Sequence, residues 1–174
     1  RMSFRLLKST RLVKGRVYNV NRELWRGPDG RIFERHTLVH PGAVAILPRD
    51  ARGRYLLIRQ FRAACRGELL EIPAGTLEPR ERPLSCAKRE LIEEVGFAAR
   101  RWKKLGEVYV APGYSTEKIV IYLAWDLKPA YAAQDDDEHI RPQPMTAAQL
   151  RAAVKHHRIE DGKTLSALVL AGVV

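Results

Sequence analysis

The sequence predicts a mixed α/β (α+β) protein, with strands in its first half and helices closing the chain. Alternating, β-branched stretches before residue 72 favour strands, while an apolar period of three to four residues over 83–95 predicts a helix. Two more helical stretches follow near the C-terminal end. A length of 174 residues suits one main domain with a small addition. We therefore expect a sandwich of helices and sheet.

The first 39 residues are predicted to form a β-rich region of their own. Its signals are, in order, alternating stretches at 4–8 and 11–25, the turn sequence GPDG at 27–30 and a further strand at 31–39. Residues 11–39 therefore predict a β-hairpin extension, and the main domain occupies 40–174. A hairpin of this size is not expected to be stable alone, which favours pairing between two copies of the chain.

The remaining elements follow from similar patterns. The predicted strands are 43–47, 54–61, 69–72, 102–110 and 118–126, and the predicted helices are 83–95, 147–157 and 163–173. In the first helix, Leu84, Ala87, Leu91 and Val95 make one apolar face, and Gly96 suits the position just past its end. Residues 111–117 are predicted to form a loop between two strands.

The composition is that of a basic protein with few cysteines. The net charge of +11 favours an anionic partner by raising its encounter rate. Because the arginines are dispersed, nucleic acid is a weaker candidate that the charge keeps open. No apolar run reaches the roughly 20 residues that span a bilayer, and no signal-peptide core is present. We predict a cytoplasmic protein without membrane contact, and Cys65 and Cys86 form no disulfide framework.

Acidic residues with a fixed spacing lie in the stretch 75–97, GTLEPRERPLSCAKRELIEEVGF. On a helix, Glu90 and Glu94 share one face, with Glu93 close by. Such carboxylates repel one another unless a cation neutralises them, and oxygen ligands favour Mg²⁺, Mn²⁺ or Ca²⁺. Arg89 is placed to orient the acids, and Gly75 marks a tight turn where a backbone carbonyl can face a metal. The alternative is an exposed, charged helix face.

The spacing decides between these interpretations. The pattern is Gly-x5-Glu-x7-Arg-Glu-apolar-x-Glu-Glu-x-Gly-apolar, and seven fixed residue types match by chance on the order of once in 10⁸ placements. It resembles the signature of the Nudix hydrolases, which cleave a diphosphate linked to a nucleoside. The resemblance implies an α/β/α sandwich around a mixed sheet, with this box as loop–helix–loop, and it implies a Mg²⁺ or Mn²⁺ cofactor.

The same resemblance implies roles for individual box residues. Glu90, Glu93 and Glu94 would bind the metal, together with the main-chain carbonyl of Ala74. Glu81 and Arg89 match positions that support those ligands, and we count them with Glu93 as catalytic candidates. The metal would act as a Lewis acid and lower the pKa of an attacking water.

Segments outside the box are similar to the ADP-ribose pyrophosphatase branch. They are RQFR at 59–62, LEIPAG at 70–75, Pro112 fifteen residues after the box, DDDEHI at 135–140 and EDGKTL at 160–165. The branch implies hydrolysis of ADP-ribose or a similar nucleoside diphosphate sugar by a homodimer. Its acidic loop implies a further metal ligand or general base, Glu138 first and Asp136 second, with a box glutamate as the alternative. Pro142 and Pro144 depart from the branch, since they disfavour a regular central strand.

Five residues are candidates for contacting the substrate. Arg62 is suited to grip a phosphate, and Glu71 lies in the similar segment. Trp25 is suited to stack on a nucleobase or to pack in a dimer. Pro112 and Glu117 lie in the loop after the box.

Two other functions are alternatives to the hydrolysis of a nucleoside diphosphate sugar. They are hydrolysis of RNA 5′ ends or dinucleoside polyphosphates, and non-catalytic ligand sensing.

Overall fold

The computed structural model describes residues 3–131 and 140–174. The predicted catalytic candidates Glu138 and Asp136 lie outside the described residues. The strands are β1 (Arg5–Lys14), β2 (Asn19–Arg26), β3 (Ile32–Val39), β4 (Ala43–Pro48), β5 (Tyr55–Arg62), β6 (Gly67–Glu71), β7 (Ala74–Thr76), β8 (Phe97–Tyr109), β9 (Lys118–Pro129) and β10 (Arg141–Met145). The helices are α1 (Pro83–Val95), α2 (Ala147–Lys155) and α3 (Gly162–Leu170).

The chain divides into two compact units. The N-terminal unit contains residues 1–42 and 109–118, and the larger unit contains 43–108 and 119–174. The loop that carries Pro112 and Glu117 thus groups with the N-terminal residues. The sequence predicts a boundary after residue 39 and assigns no second segment to the N-terminal region.

The N-terminal unit is built on a three-stranded antiparallel sheet in the order β1-β2-β3. The expected hairpin is present as β2 and β3 around Gly30, but β1 adds a third strand that the sequence did not predict as part of it. Gly15 makes the turn before β2, where its amide donates to the Tyr18 carbonyl at 2.9 Å. A Cβ on Gly15 would lie 2.4 Å from that oxygen, so this turn requires glycine.

The larger unit is organised around β4, whose six residues are all buried. This strand pairs parallel with β9 and antiparallel with β7 in a four-stranded mixed sheet, β7-β4-β9-β8. A second, antiparallel sheet has the order β10-β5-β6. The predicted mixed α/β fold is therefore confirmed, although the strands of the larger unit form two sheets.

Helices cover both faces of β4 because its side chains alternate between two cores. Val44 and Ile46 pack with the apolar face of α1, including Ala87 and Leu91. Ala43, Ala45 and Leu47 pack on the other side, in a core to which α2 and α3 contribute Leu150, Ala153, Ala167 and Leu168. Burial of these side chains at about 25 cal/mol per Å² of apolar surface holds the layers together.

The helix boundaries follow local capping chemistry. α1 matches its prediction from Pro83 at the first turn to Gly96, which adopts the left-handed conformation with φ 76°. α2 begins with a capping box between Thr146 and Gln149 and ends two residues before the predicted position. α3 begins at Gly162, one residue early, because Asp161 caps it, and ends at Leu170 rather than at 173.

The two prolines that disfavour a central strand lie in β10, at the edge of its sheet. Pro142 and Pro144 stand opposite Ile58 and Leu56 of β5. An edge strand tolerates proline because one of its sides needs no hydrogen-bond donors.

Within the part of the chain that the structure describes, no helix is long and apolar enough to span a membrane. The cytoplasmic location stays a prediction.

Candidate active site

Glu90, Glu93 and Glu94 of the box lie on α1, which packs against β4. Leu91, Cys86 and Ala87 anchor the helix in the core, so its register fixes which carboxylates face outward. Glu93 keeps 31% of its side chain exposed, whereas Glu94 is only 2% exposed as a residue. The three predicted metal-binding glutamates therefore differ in access to solvent.

Arg89 is the centre of a charge network that joins four box residues. Its Nε and Nη2 donate to the Glu81 carboxylate at 3.2 and 3.1 Å. Its Nη1 donates to Glu90 at 2.6 Å and to Glu93 at 3.0 Å. These bonds raise the pKa of Arg89 further above its usual value, with Glu81 the main cause. They hold the pKa of the Glu81 carboxyl below its usual value. Arg89 thus orients the acids, as the sequence predicts.

The strand β7 contributes the backbone of the site. Ala74 donates its amide to the carboxylate of Glu94 at 2.9 Å, which ties the helix to this strand. Gly75 lies against Glu90 so closely that a Cβ would stand 1.8 Å from its Oε1 and 2.5 Å from its Cγ. The glycine of the box is therefore required by the space that the Glu90 side chain fills.

Gly75→Ala is expected to displace Glu90 and to lower the catalytic activity of this site by about a hundredfold, because a catalytic group misplaced by an ångström loses that order of rate. Steady-state kinetics will measure the loss. Gly67→Ala is the matched control, since its Cβ would meet only the Cys65 carbonyl at 3.8 Å. Equal activity in the two variants would contradict this role of Gly75.

The donor set fits a hard divalent cation in chemistry. Its oxygens belong to carboxylates and backbone, without a thiolate or imidazole. Glu90 and Glu93 converge on one nitrogen of Arg89. Among the described residues, no three acidic, His or Cys side chains are grouped closely enough to hold a metal ion. Since Arg89 engages two of the acids and Ala74 a third, binding of a cation requires these carboxylates to turn from their present partners.

A cavity of about 440 Å³ lies at the C-terminal end of the box helix. Glu93 and Glu94 form part of its wall, together with Gly96, Tyr131 and Pro142. The cavity is large enough for a diphosphate group, and it gives the exposed part of Glu93 access to a bound molecule.

Arg62 and Glu71, both predicted to contact substrate, bind each other. Glu71 is completely buried at the end of β6. Arg62 donates to it through Nε at 2.8 Å and Nη2 at 2.9 Å. Burial opposes the charge of Arg62, but the ion pair outweighs it, so the pKa of Arg62 is raised. Glu71 therefore acts on Arg62 and does not itself reach solvent.

Trp25 and Pro112 line one cavity within the N-terminal unit, of about 650 Å³. Its other walls, which the sequence did not indicate, include Phe4, Glu23, Phe33, Arg35, Tyr109 and Tyr114. Glu23 accepts hydrogen bonds from the Trp25 indole at 3.1 Å and from Thr37 at 2.9 Å. Aromatic walls with one carboxylate suit a flat, hydrogen-bonding ring. Glu117 is not among the described residues that line this cavity.

Sequence reasoning also missed Lys163 and Asp161. Lys163 pairs with Glu71, and its Nζ lies 3.1 Å from Oδ1 of Asp161. The segment 160–165, which is similar to the ADP-ribose pyrophosphatase branch, contains both Lys163 and Asp161. It did not indicate that Lys163 pairs with Glu71, 92 residues away. Burial raises the pKa of the Cys86 thiol to about 12, with Glu90 as the next cause, so this cysteine is a packing residue at neutral pH.

The chain is similar to several known proteins. A family model described as "NUDIX domain" matches residues 39–168. The chain is 32% identical to an ADP-ribose pyrophosphatase of Bacillus subtilis, over 90% of this chain and 86% of the relative. It is 36% identical to a GDP-mannose pyrophosphatase of Citrobacter koseri, over 71% of this chain and 69% of the relative. A solved structure described as an ADP compounds hydrolase superposes with a TM-score of 0.86 and 25% identity, covering 97% of this chain and 92% of that one.

Proposed function

The chain belongs to the Nudix family, and from this premise we propose that it hydrolyses the diphosphate of ADP-ribose or a similar nucleoside diphosphate sugar. The products are a nucleoside monophosphate and a sugar phosphate. The prediction of a Nudix pyrophosphohydrolase is confirmed by the family match and by the relatives. The observation that carries the proposal is the Arg89 network, which gathers Glu81, Glu90 and Glu93 beside a cavity that Glu93 and Glu94 line.

We propose Mg²⁺ or Mn²⁺ as the cofactor, held by Glu90, Glu93, Glu94 and the Ala74 carbonyl. When bound, the metal polarises the diphosphate and lowers the pKa of an attacking water. Arg89 and Glu81 order the carboxylates before a metal binds, and metal binding would release Glu90 and Glu93 from Arg89. A box glutamate released from Arg89 can accept the proton of that water. Glu93 suits this task because it is the most exposed of the three glutamates.

Arg62 is proposed to bind a phosphate oxygen of the substrate. Its side chain is 37% exposed, and Glu71 holds two of its three nitrogens. A guanidinium that is already ordered loses little conformational freedom when it binds an anion. The net charge of +11 also favours encounter with a diphosphate.

We propose that the cavity of the N-terminal unit binds a nucleobase. Trp25, Tyr109 and Tyr114 offer faces for stacking, and Pro112 adds apolar surface. The Glu23 carboxylate can accept a hydrogen bond from an amino group of adenine or guanine. For Glu117 the structure adds no support, and its substrate contact stays a prediction.

Turnover of a small panel of compounds tests the function directly. Incubation with Mg²⁺ and ADP-ribose is expected to release AMP and ribose 5-phosphate, with GDP-mannose, dinucleoside polyphosphates and capped RNA as comparators. Turnover of capped RNA alone would replace the proposed substrate class. Absence of metal-dependent turnover for the whole panel would favour a ligand-sensing role.

Trp25→Ala is expected to raise KM for the nucleotide sugar about tenfold, because stacking of a base on an aromatic ring contributes about 1–3 kcal/mol. The value of kcat should change much less. Trp25→Phe keeps a ring and loses only the hydrogen bond to Glu23, so its KM should stay close to the wild type. Tyr18→Ala is the control within the same unit, since Tyr18 does not line the cavity. An unchanged KM in Trp25→Ala would contradict the base site.

A homodimer through the N-terminal sheet is also proposed. In β1 every residue except Thr10 is exposed, and Leu6, Leu7, Leu12 and Val13 are among its apolar side chains. An exposed edge strand with apolar side chains is a typical surface for pairing with a second copy. Light scattering is expected to give twice the chain mass, and a monomeric mass at micromolar concentration would refute the proposal.

A further inference from the structure

A buried ionic cluster joins the end of β6 to the start of α3. It consists of Arg62, Glu71, Asp161 and Lys163, the last with only 11% of its side chain exposed. Buried charges are costly unless each is paired and hydrogen-bonded. A cluster of four in one place therefore suggests a purpose beyond stability.

Glu71 is the centre of this cluster. Its Oε1 accepts from Arg62 Nε at 2.8 Å, and its Oε2 accepts from Arg62 Nη2 at 2.9 Å. Lys163 Nζ donates to the same Oε2. A single carboxylate thus pairs with two cations from different parts of the chain.

The backbone around the cluster is tied down by further hydrogen bonds. Asp161 accepts from Lys163 through one oxygen and caps α3 through the other, at 2.9 Å from the Thr164 amide. The Thr164 hydroxyl accepts from the amide of Ile72, the residue after Glu71, at 2.9 Å. Lys163 is therefore held in register with Glu71 from both elements.

Arg62 is the member of the cluster that reaches solvent. Its third nitrogen, Nη1, makes no hydrogen bond to a residue that the structure describes, and the side chain is 37% exposed. Glu94 of the box helix also acts on it electrostatically. The open edge of Arg62 is thus available to an anion near the acidic site.

We propose that Lys163 is a positioning residue for diphosphate binding, acting on Arg62 through Glu71. The proposal rests on the proposed function, in which Arg62 binds a phosphate. Lys163 supplies the second positive charge of the cluster. With that charge present, Glu71 orients Arg62 while Arg62 still presents a positive potential at its open edge.

The charge balance of the cluster predicts that loss of the Lys163 charge weakens anion binding at Arg62. Two cations and two carboxylates cancel. Without the Lys163 charge the cluster carries one net negative charge, which repels an anion at Arg62 in a site of reduced dielectric constant. Removing the charge of Glu71 as well restores the balance.

The test uses inorganic pyrophosphate as the probe, titrated calorimetrically into the metal-free full chain. Lys163→Met is expected to raise its Kd about tenfold, a coupling typical of residues in one ionic network. In kinetics, KM for ADP-ribose should rise with little change in kcat. Lys163→Arg retains the charge and should recover most of the affinity. Lys104→Met, which breaks an exposed pair with Glu107, is the matched control and should leave the Kd unchanged.

The double variant Lys163→Met with Glu71→Gln separates charge balance from simple support of the fold. If charge balance acts, the double variant binds pyrophosphate more tightly than Lys163→Met alone. If Lys163 only supports the structure, the double variant binds no better and melts lower. Where Lys163→Met fails to fold, Lys163→Gln takes its place in both comparisons.

The proposal is overturned by an unchanged Kd in a folded Lys163→Met variant, by failure of the Lys163→Arg rescue, or by wild-type protein that does not bind pyrophosphate. These outcomes are distinct from failure of the proposed function. If no nucleoside diphosphate sugar is turned over, the pyrophosphate titration still decides whether Lys163 acts on an anion site.

Discussion

Glu93→Gln and Glu94→Gln are each expected to lower kcat by at least about a hundredfold, because each removes a charge that would hold the catalytic cation. Glutamine keeps the size of the side chain. At position 94 its carbonyl oxygen can still accept the hydrogen bond that the Ala74 amide donates to Glu94 at 2.9 Å. The fold should therefore survive. Thermal unfolding within a few degrees of wild type will show that the lost turnover is chemical.

A binding measurement makes this prediction independent of the substrate. Titration of Mn²⁺ followed by electron paramagnetic resonance should show weaker binding in both variants. Glu34→Gln, which affects only exposed contacts with Arg22 and His36, is the control for loss of one carboxylate charge. Undiminished turnover in either box variant would remove that residue from the metal site.

The second large effect concerns stability. Glu71→Leu is expected to lower the free energy of unfolding by about 3–5 kcal/mol, because removing one partner of a buried ion pair leaves the other charge uncompensated. Without Glu71 the cluster carries one net positive charge. Arg62 can move its exposed end toward water, but Lys163, with 11% of its side chain exposed, cannot and keeps only Asp161 as a partner. Urea denaturation at neutral pH measures the loss.

Glu68→Leu is the matched control for this variant. Glu68 lies three residues earlier on the same strand and pairs with Arg141, but both side chains are exposed. Exposed pairs contribute about 0–1 kcal/mol, so this change should cost little. An equal decrease in the free energy of unfolding for Glu68→Leu and Glu71→Leu would show that the burial of the ionic cluster does not increase its contribution to stability.

The sequence predicts best where local chemistry and helical period coincide. α1 is predicted to the residue because Pro83 starts it, Gly96 ends it and its apolar side chains repeat at helical spacing. The grouping of Arg89, Glu90 and Glu93 followed from the same helix, whereas the place of Glu81, which precedes the helix, was implied by the family resemblance. The capping residue Asp161 moved the start of α3 by one position, since a cap sets a boundary that apolar spacing does not.

Long-range contacts were outside the reach of the sequence. Lys163 meets Glu71 only because α3 and β6 enclose one core. The cavity that joins Trp25 to Pro112 depends on the loop 109–118 grouping with the N-terminal sheet. Neither juxtaposition has a periodic signal, because each depends on how distant segments pack.

The two-segment composition of the N-terminal unit sets a limit on truncation. The backbone of Leu38 bonds to Tyr114 and Thr116, and the His40 amide bonds to the Thr116 side chain. A protein shortened to 43–174 would therefore keep a ten-residue excursion, 109–118, whose hydrogen-bonding partners had been deleted. A soluble catalytic fragment would need that excursion replaced by a tight turn between Val108 and Ile119. For the same reason, a single protease cut after residue 42 should leave the two pieces associated.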